Sequence, residues 1–184
     1  TGAIAAWENA ARLAADGRFG ENKMRIYASQ NAPFTIMYDS WKAHSRELVP
    51  MTPEEGRQNA EVILGKVLSN RKPPYSLAGG LFDVLEKSGG DMFKVSNDEI
   101  VSWVVKYFSL EGYDLFPASA CAVSSLKQAL DAGIVKHDET VMLNVTGGGM
   151  LGATRKGFIL KEPDLILSPD LPAEEIIAAV DKLF

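Results

Sequence analysis

Reactive side chains are scarce in this sequence. Cys121 is the only cysteine among 184 residues, so no intramolecular disulfide can form and a cysteine-rich metal site is excluded. That scarcity fits a reducing, cytoplasmic compartment. His44 and His137 are the only histidines, and neither stands in HExxH or another short metal-ligating pattern. No apolar run is long enough to span a membrane, and internal repeats and low-complexity tails are missing as well. Basic residues number 19 against 24 acidic ones, a formal charge of -5. This is the wrong sign for affinity built on neutralising phosphate backbones, so nucleic acid is excluded as a main partner. An initiator methionine and a basic flank are also lacking. The chain opens on Thr1-Gly2-Ala3 and runs straight into a helical pattern, so it is expected to be a piece of a longer polypeptide.

What is present suits a globular domain: 46% hydrophobic and 23% charged residues with a mean hydropathy of -0.03. From Ala3 to Ala15 the apolar residues Ile4, Trp7, Ala10, Ala11 and Ala14 recur at helical spacing, and Asp16-Gly17 supplies a stop. A strand is expected at Met24 to Ser29, leading into a polar loop where Pro33 interrupts any ladder. Further helices are expected at Thr35 to Leu48, Glu54 to Leu68 and Gly80 to Lys87, with a strand at Met92 to Val95. The region of about 50–90 has few strand signals and reads as a helical insertion or lid. Ser96 with Glu99 three residues later forms a capping-box pattern ahead of a helix from Asn97 to Leu110. Pro117 opens another helix, rich in small residues, that ends at Gly133. Val141 to Val145 reads as a strand delivering Thr146-Gly147-Gly148-Gly149 to a sheet edge. The end holds a weaker strand pattern at Asp164 to Leu167 and a helix from Pro172 to Leu183. Alternating helices and strands imply an open, mainly parallel α/β sheet, whose ligands bind beyond the carboxyl ends of the strands.

Two glycine-bearing segments stand out. At Thr1-Gly2-Ala3, small side chains expose backbone N–H groups at the positive end of a helix, which suits a phosphate; an ordinary helix entrance explains the residues as well. At Thr146, a hydroxyl follows a rigid segment and the glycines after it let backbone approach a flat ligand, although a plain turn needs the same glycines. Cys121 reads as a small buried residue, and the three tryptophans, Trp7, Trp41 and Trp103, as packing residues. His137 and the Arg155-Lys156 pair read as solvated surface, while Asn97-Asp98-Glu99 fits helix-start electrostatics.

Taken in order, TGAIAAWENAARLAADGRFG, RIYASQNAPF, GYDLFPASACAVSSLKQALDAG and VMLNVTGGG resemble the C-terminal part of the threonine synthase-like family of fold-type II pyridoxal-phosphate enzymes. The resemblance covers nearly the whole chain. It implies an incomplete large domain over 1–184, with Thr1, Gly2 and Ala3 as the last part of the loop that holds the pyridoxal 5'-phosphate phosphate group. It also implies that Thr146 faces the pyridine nitrogen, that Gly147 and Gly148 wall the cofactor, and that Asn31, Ala32 and Pro33 lie near substrate. The family's Schiff-base lysine belongs to the preceding half of its fold. No lysine here, Lys23 and Lys127 included, stands in that context, so no catalytic residue is assigned.

Within the family, GAIAAWENAARLAADGRFG and QNAPFTIMYDSW look like the cysteate synthase branch, which joins O-phospho-L-serine and sulfite into L-cysteate and phosphate for coenzyme M synthesis in methanogenic archaea. The alternative branch, threonine synthase, uses O-phospho-L-homoserine and water; Phe116 stands where glutamate is common in that branch. A noncatalytic nucleotide- or anion-binding domain is the remaining alternative, since glycine-rich loops alone permit it. The partners implied are a phosphorylated amino acid, sulfite, the N-terminal part of the enzyme and a second copy of the chain.

Overall fold

The computed structural model, which describes residues 1–158 and 161–183, is built on two parallel strands. Strands β1 (Tyr27–Asn31) and β2 (Asp91–Val95) pair from Tyr27 with Asp91 to Asn31 with Val95. Parallel neighbours need a long crossover. Here it carries α2 (Ile36–Lys42), α3 (Pro53–Val62), a single 3-10 turn at Lys66–Leu68 and α4 (Leu81–Ser88). Helix α1 (Gly2–Asp16) precedes β1, and α5 (Asn97–Glu111) and α6 (Pro117–Asp131) follow β2. Contacts divide the chain into two units, Thr1–Met150 and Leu151–Phe184.

Strand alternation sends side chains to both faces. On one face Met92 joins Ile26, Tyr75, Leu81, Val84 and Leu85, with Ala3, Ile4 and Trp7 of α1 and Trp41 of α2 packed against them. On the other, Phe93 packs with Ala129 and Val135, while Val95 joins Ile100, Leu115, Ala120, Cys121 and Val123. Helices therefore cover both faces, and the open parallel α/β sheet expected from the sequence is present in a small form. The 50–90 region holds α3, the 3-10 turn and α4, and its Tyr75, Leu81, Val84 and Leu85 are buried core residues.

Several expected bounds move for local reasons. Pairing of β1 starts at Tyr27, later than Met24, because the Ile26 N–H is taken by the Ser88 hydroxyl at 3.2 Å. Helix α2 stops at Lys42, short of Leu48. The Ser40 hydroxyl donates to the Ile36 carbonyl and accepts the Val49 N–H, and His44 turns left-handed at φ 51°, which folds the chain back. Helix α3 stops at Val62 because Asn97 captures its end: the Asn97 amide donates to the Val62 carbonyl at 2.8 Å and its oxygen accepts the Leu64 N–H at 3.1 Å. The expected strand at Val141 to Val145 is absent. Those residues carry no regular secondary structure and no ladder partner among the described residues, Met142 is 83% exposed, and Leu143 is the one of them packed on a core cluster. An apolar run becomes a strand only where another strand satisfies its backbone.

In the second unit, α7 (Met150–Arg155), which begins at the last residue of the first unit, and α8 (Ala173–Val180) are the helices, with a 3-10 turn at Asp181–Leu183. Pro172 caps α8, and Glu174 and Glu175 sit in its first turn, as the sequence pattern implies. Asp164 to Leu167 forms no strand. Among the described residues no helix is long and apolar enough to cross a membrane.

The start of α5 is fixed by a complete capping box. Ser96 Oγ accepts the Glu99 N–H, while Glu99 Oε2 accepts the Ser96 N–H at 2.8 Å and Glu99 Oε1 accepts Gln128 Nε2 at 2.7 Å. Burial pushes the Glu99 pKa up, but the bonds donated by Ser96, Gln128 and Ser124 together outweigh it and hold the carboxyl below its ordinary 4.5. A depressed folded-state pKa contributes stability above the unfolded value and loses it as pH falls through the folded one. Acid titration of urea stability should therefore lose part of its slope below pH 4.5 in Glu99→Gln, and Ser96→Ala should cost about 1 kcal/mol at neutral pH. An unchanged acid slope in Glu99→Gln would contradict this assignment.

Candidate functional site

After α6 the chain returns through Leu143, packed on the cluster around Leu115 and Cys121, and reaches Thr146. The loop that follows is clamped by the segment ahead of α6. Gly147 N–H donates to Ser119 Oγ at 2.9 Å, and Phe116 N–H donates to the Gly147 carbonyl at 3.1 Å. Gly149 N–H donates to the Asp114 carbonyl and Met150 N–H to Asp114 Oδ2, both at 2.9 Å. Leu115 and Gly148 form an isolated antiparallel bridge. Gly148 has φ +145°, and a Cβ there would lie 2.1 Å from the Asp114 carbonyl oxygen; a Cβ on Gly147 would lie 2.7 Å from Phe116 Cδ2. These glycines are needed because the protein's own backbone and the Phe116 ring press against them.

Thr146 itself is exposed, and among the described residues no protein group bonds its hydroxyl. It lines an open cavity of about 360 Å³ with Tyr107, Tyr113, Asp114, Leu115, Val145 and Gly147 to Gly149. The walls are phenol, carboxylate, aliphatic side chain and backbone, and among the described residues no cation contributes. That donor set suits the edge of a flat, weakly basic ring and not a phosphate, which needs convergent N–H groups or cations.

Thr1-Gly2-Ala3 offers the complementary chemistry. Thr1 is the N-cap of a 15-residue helix, its side chain makes no capping bond, and no acidic residue sits in the first turn. A Cβ on Gly2 would meet nothing within 4 Å, and the first-turn N–H groups of a helix have no partner within the helix itself. Backbone N–H groups at a helix start are the donor type a phosphate needs, and a neutral hydroxyl such as that of Thr146 is the type a pyridine edge needs. The two segments belong to different packing clusters: Ala3 packs on the Tyr75 and Leu85 side, and the Thr146 loop lies against the start of α6.

Asn31, Ala32 and Pro33 stand at the carboxyl end of β1, joined by a cis Ala32-Pro33 bond. Ala32 is half-buried, with its N–H on the Val95 carbonyl at 2.8 Å, and Pro33 is exposed. The Asn31 side chain is fully buried and already occupied. Its amide donates to the Val95 carbonyl at 3.0 Å, to Asn97 Oδ1 at 3.1 Å and to the Ala32 carbonyl at 3.2 Å, while its oxygen accepts the Gly65 N–H at 2.9 Å.

The remaining candidates take structural places. Cys121 is buried, and burial pushes its thiol up to about 11. Trp7 and Trp41 pack on the cluster around Met92, and Trp103 on the one around Ile100. His137, Arg155 and Lys156 are exposed. Among the described residues no three or more His, Cys, Asp or Glu side chains are grouped to hold a metal ion. Sequence reasoning missed Tyr107, Tyr113, Asp114 and Ser119. The available signal was Ser119 itself, a hydroxyl inside the first turn of a proline-started helix whose N-cap, Phe116, makes no side-chain bond.

No protein-family model matches the chain. The sequence is similar to the cysteate synthase of Methanosarcina acetivorans, 40% identical over 179 residues that make up 96% of this chain and 43% of the relative. It is 40% identical over 183 residues to the cysteate synthase of Methanocella paludicola, covering 98% of the chain and 43% of the relative. The corresponding enzyme of Methanoculleus marisnigri is 45% identical over 150 residues, 81% of the chain and 35% of the relative. The chain thus spans less than half the length of these relatives.

The occupied Asn31 amide makes a direct prediction. Asn31→Ala strands the Gly65 N–H and leaves the Val95 carbonyl with only the Ala32 N–H, and should lower unfolding free energy by about 2 kcal/mol, read by urea denaturation. A loss below about 0.5 kcal/mol, the scale of an ordinary surface substitution, would mean the carboxamide is free for another role.

Proposed function

The chain belongs to the cysteate synthase-like family of pyridoxal-phosphate enzymes, and from that premise we propose that it is the C-terminal part of the large domain of an enzyme that converts O-phospho-L-serine and sulfite into L-cysteate and phosphate. The observation that carries the reading is the similarity to cysteate synthases over nearly the whole chain. The chemistry of the two loops supports it.

In this reading the first-turn N–H groups at Gly2 and Ala3, with Thr1 as N-cap, hold the cofactor phosphate against the positive end of α1. Thr146 presents a neutral hydroxyl to the pyridine nitrogen. A neutral partner stabilises a protonated ring nitrogen less than a carboxylate does, which suits replacement at the substrate β-carbon better than transamination. Gly147 and Gly148 keep the Thr146 loop low against Asp114 and Phe116, leaving the cavity side open. Asn31 holds the strand ends together, so that Ala32 and Pro33 form the rim nearest substrate. The cofactor, when bound, supplies the electron sink for the reaction. The rest of the enzyme supplies the lysine and the acid/base partners, and self-association follows the family resemblance.

The test is a paired-substrate assay on the complete enzyme. Cysteate formed from phosphoserine and sulfite, with no threonine from phosphohomoserine and water, is the expected result. Threonine without cysteate would overturn it in favour of the threonine synthase reaction. Failure to retain pyridoxal phosphate at all would overturn it in favour of a noncatalytic anion-binding domain.

A further inference from the structure

Among the described residues the Thr146 hydroxyl has no protein partner, so its direction is set by the backbone that carries it. That backbone has a specific tether. The peptide plane joining Thr146 to Gly147 contains the Gly147 N–H, and this N–H ends on Ser119 Oγ at 2.9 Å. Ser119 is 1% exposed. It lies in the first turn of α6, where a serine hydroxyl commonly serves its own helix, yet its oxygen accepts from the other segment, 28 residues away.

The adjoining bonds divide the work. Phe116 N–H holds the Gly147 carbonyl, and Asp114 holds the Gly149 and Met150 N–H groups. These fix the glycines and the exit of the loop, whereas the Ser119 bond fixes the plane that Thr146 shares. Removing it leaves the other clamps in place and frees the tilt of that plane, which redirects the threonine side chain without unfolding the loop.

We propose that Ser119 is a positioning residue that aims the Thr146 hydroxyl into the cavity lined by Tyr107, Tyr113 and Asp114. The proposal rests on the reading above that Thr146 faces the pyridine nitrogen. It makes recognition of the cofactor ring depend on a side chain that touches neither cofactor nor substrate, through one backbone amide.

The experiment uses the complete enzyme loaded with pyridoxal phosphate and compares Ser119→Ala, Ser119→Cys, Ser119→Thr, Thr146→Ala and the double variant Ser119→Ala/Thr146→Ala. Three readouts are taken: the thermal unfolding transition, hydrogen exchange at the Gly147 amide, and the pH dependence of the bound cofactor's visible absorption. Ser119→Ala should exchange the Gly147 amide about tenfold faster, the rate equivalent of losing one ordinary hydrogen bond, and move the absorption profile in the same direction as Thr146→Ala. Ser119→Cys, a weaker acceptor of similar size, should fall between wild type and alanine. Ser119→Thr should restore both readouts. In the double variant the serine substitution should add nothing to the profile, because its effect runs through Thr146.

A Ser119→Ala profile identical to wild type, alongside a shifted Thr146→Ala profile, would overturn the positioning role and leave the reading of Thr146 standing. An unshifted Thr146→Ala profile would overturn that reading and the proposal with it. If Ser119→Ala does not fold, Ser119→Cys decides by the same criteria.

Discussion

The structure turns on the buried carboxamide of Asn31, where the carboxyl ends of both strands meet. A pair of five-residue parallel strands has little cooperativity of its own, and side chains must stop its ends from fraying. Asn31 bonds the Val95 carbonyl across the ladder and reaches Asn97 and Gly65 beyond it. Asn97 in turn ends α3 through Val62 and Leu64, and one residue before Asn31 the Gln30 oxygen accepts the Met37 and Tyr38 N–H groups at the start of α2. Two neighbouring amides of β1 thus hold the crossover at the start of α2 and at Gly65 beyond α3. Because open α/β sheets bind ligands beyond these ends, the network that closes the fold also shapes the rim proposed to meet substrate.

A second constraint works at the Thr146 loop. Asp114 contributes a backbone carbonyl and a carboxylate oxygen to two successive N–H groups of the Thr146 loop, and Ser119 and Phe116 hold Gly147 from both sides. The loop is therefore firm at its glycines, while no group among the described residues bonds the hydroxyl of the threonine beside the cavity. A flexible loop would have to lose conformational entropy to bind a ring; one already ordered by its neighbours has lost most of it on folding. Among the described residues the cavity beside Thr146 is lined by two tyrosines, a carboxylate, aliphatic side chains and glycine backbone, with no cation.

Much of this was legible in the sequence where the cause is local. The Ser96 and Glu99 box, the alanine-rich α1 with its Asp16-Gly17 stop and the proline start of α6 act within a few residues, and these helices stand near their expected bounds. The burial of Cys121 and the packing of the tryptophans were readable for the same reason. What escaped depends on partners far along the chain. Val141 to Val145 has the composition of a strand but no strand beside it, and α3 ends where Asn97, more than thirty residues on, claims its carbonyl. Gly147 and Gly148 were read as room for a ligand, whereas the contacts they relieve are with Phe116 and Asp114. The place of Asn31 in a motif says nothing of the bonds its amide makes, because their partners Val95, Asn97 and Gly65 stand more than thirty residues away.

The central claim is that a neutral threonine hydroxyl serves the pyridine nitrogen of the cofactor. The direct measurement is nitrogen-15 NMR of the complete enzyme loaded with pyridoxal phosphate labelled at the ring nitrogen. The account predicts, at neutral pH, the resonance of an unprotonated, hydrogen-bonded pyridine that shifts when Thr146 is replaced by valine, which keeps the shape and removes the hydroxyl. A pyridinium resonance indifferent to that substitution would contradict it.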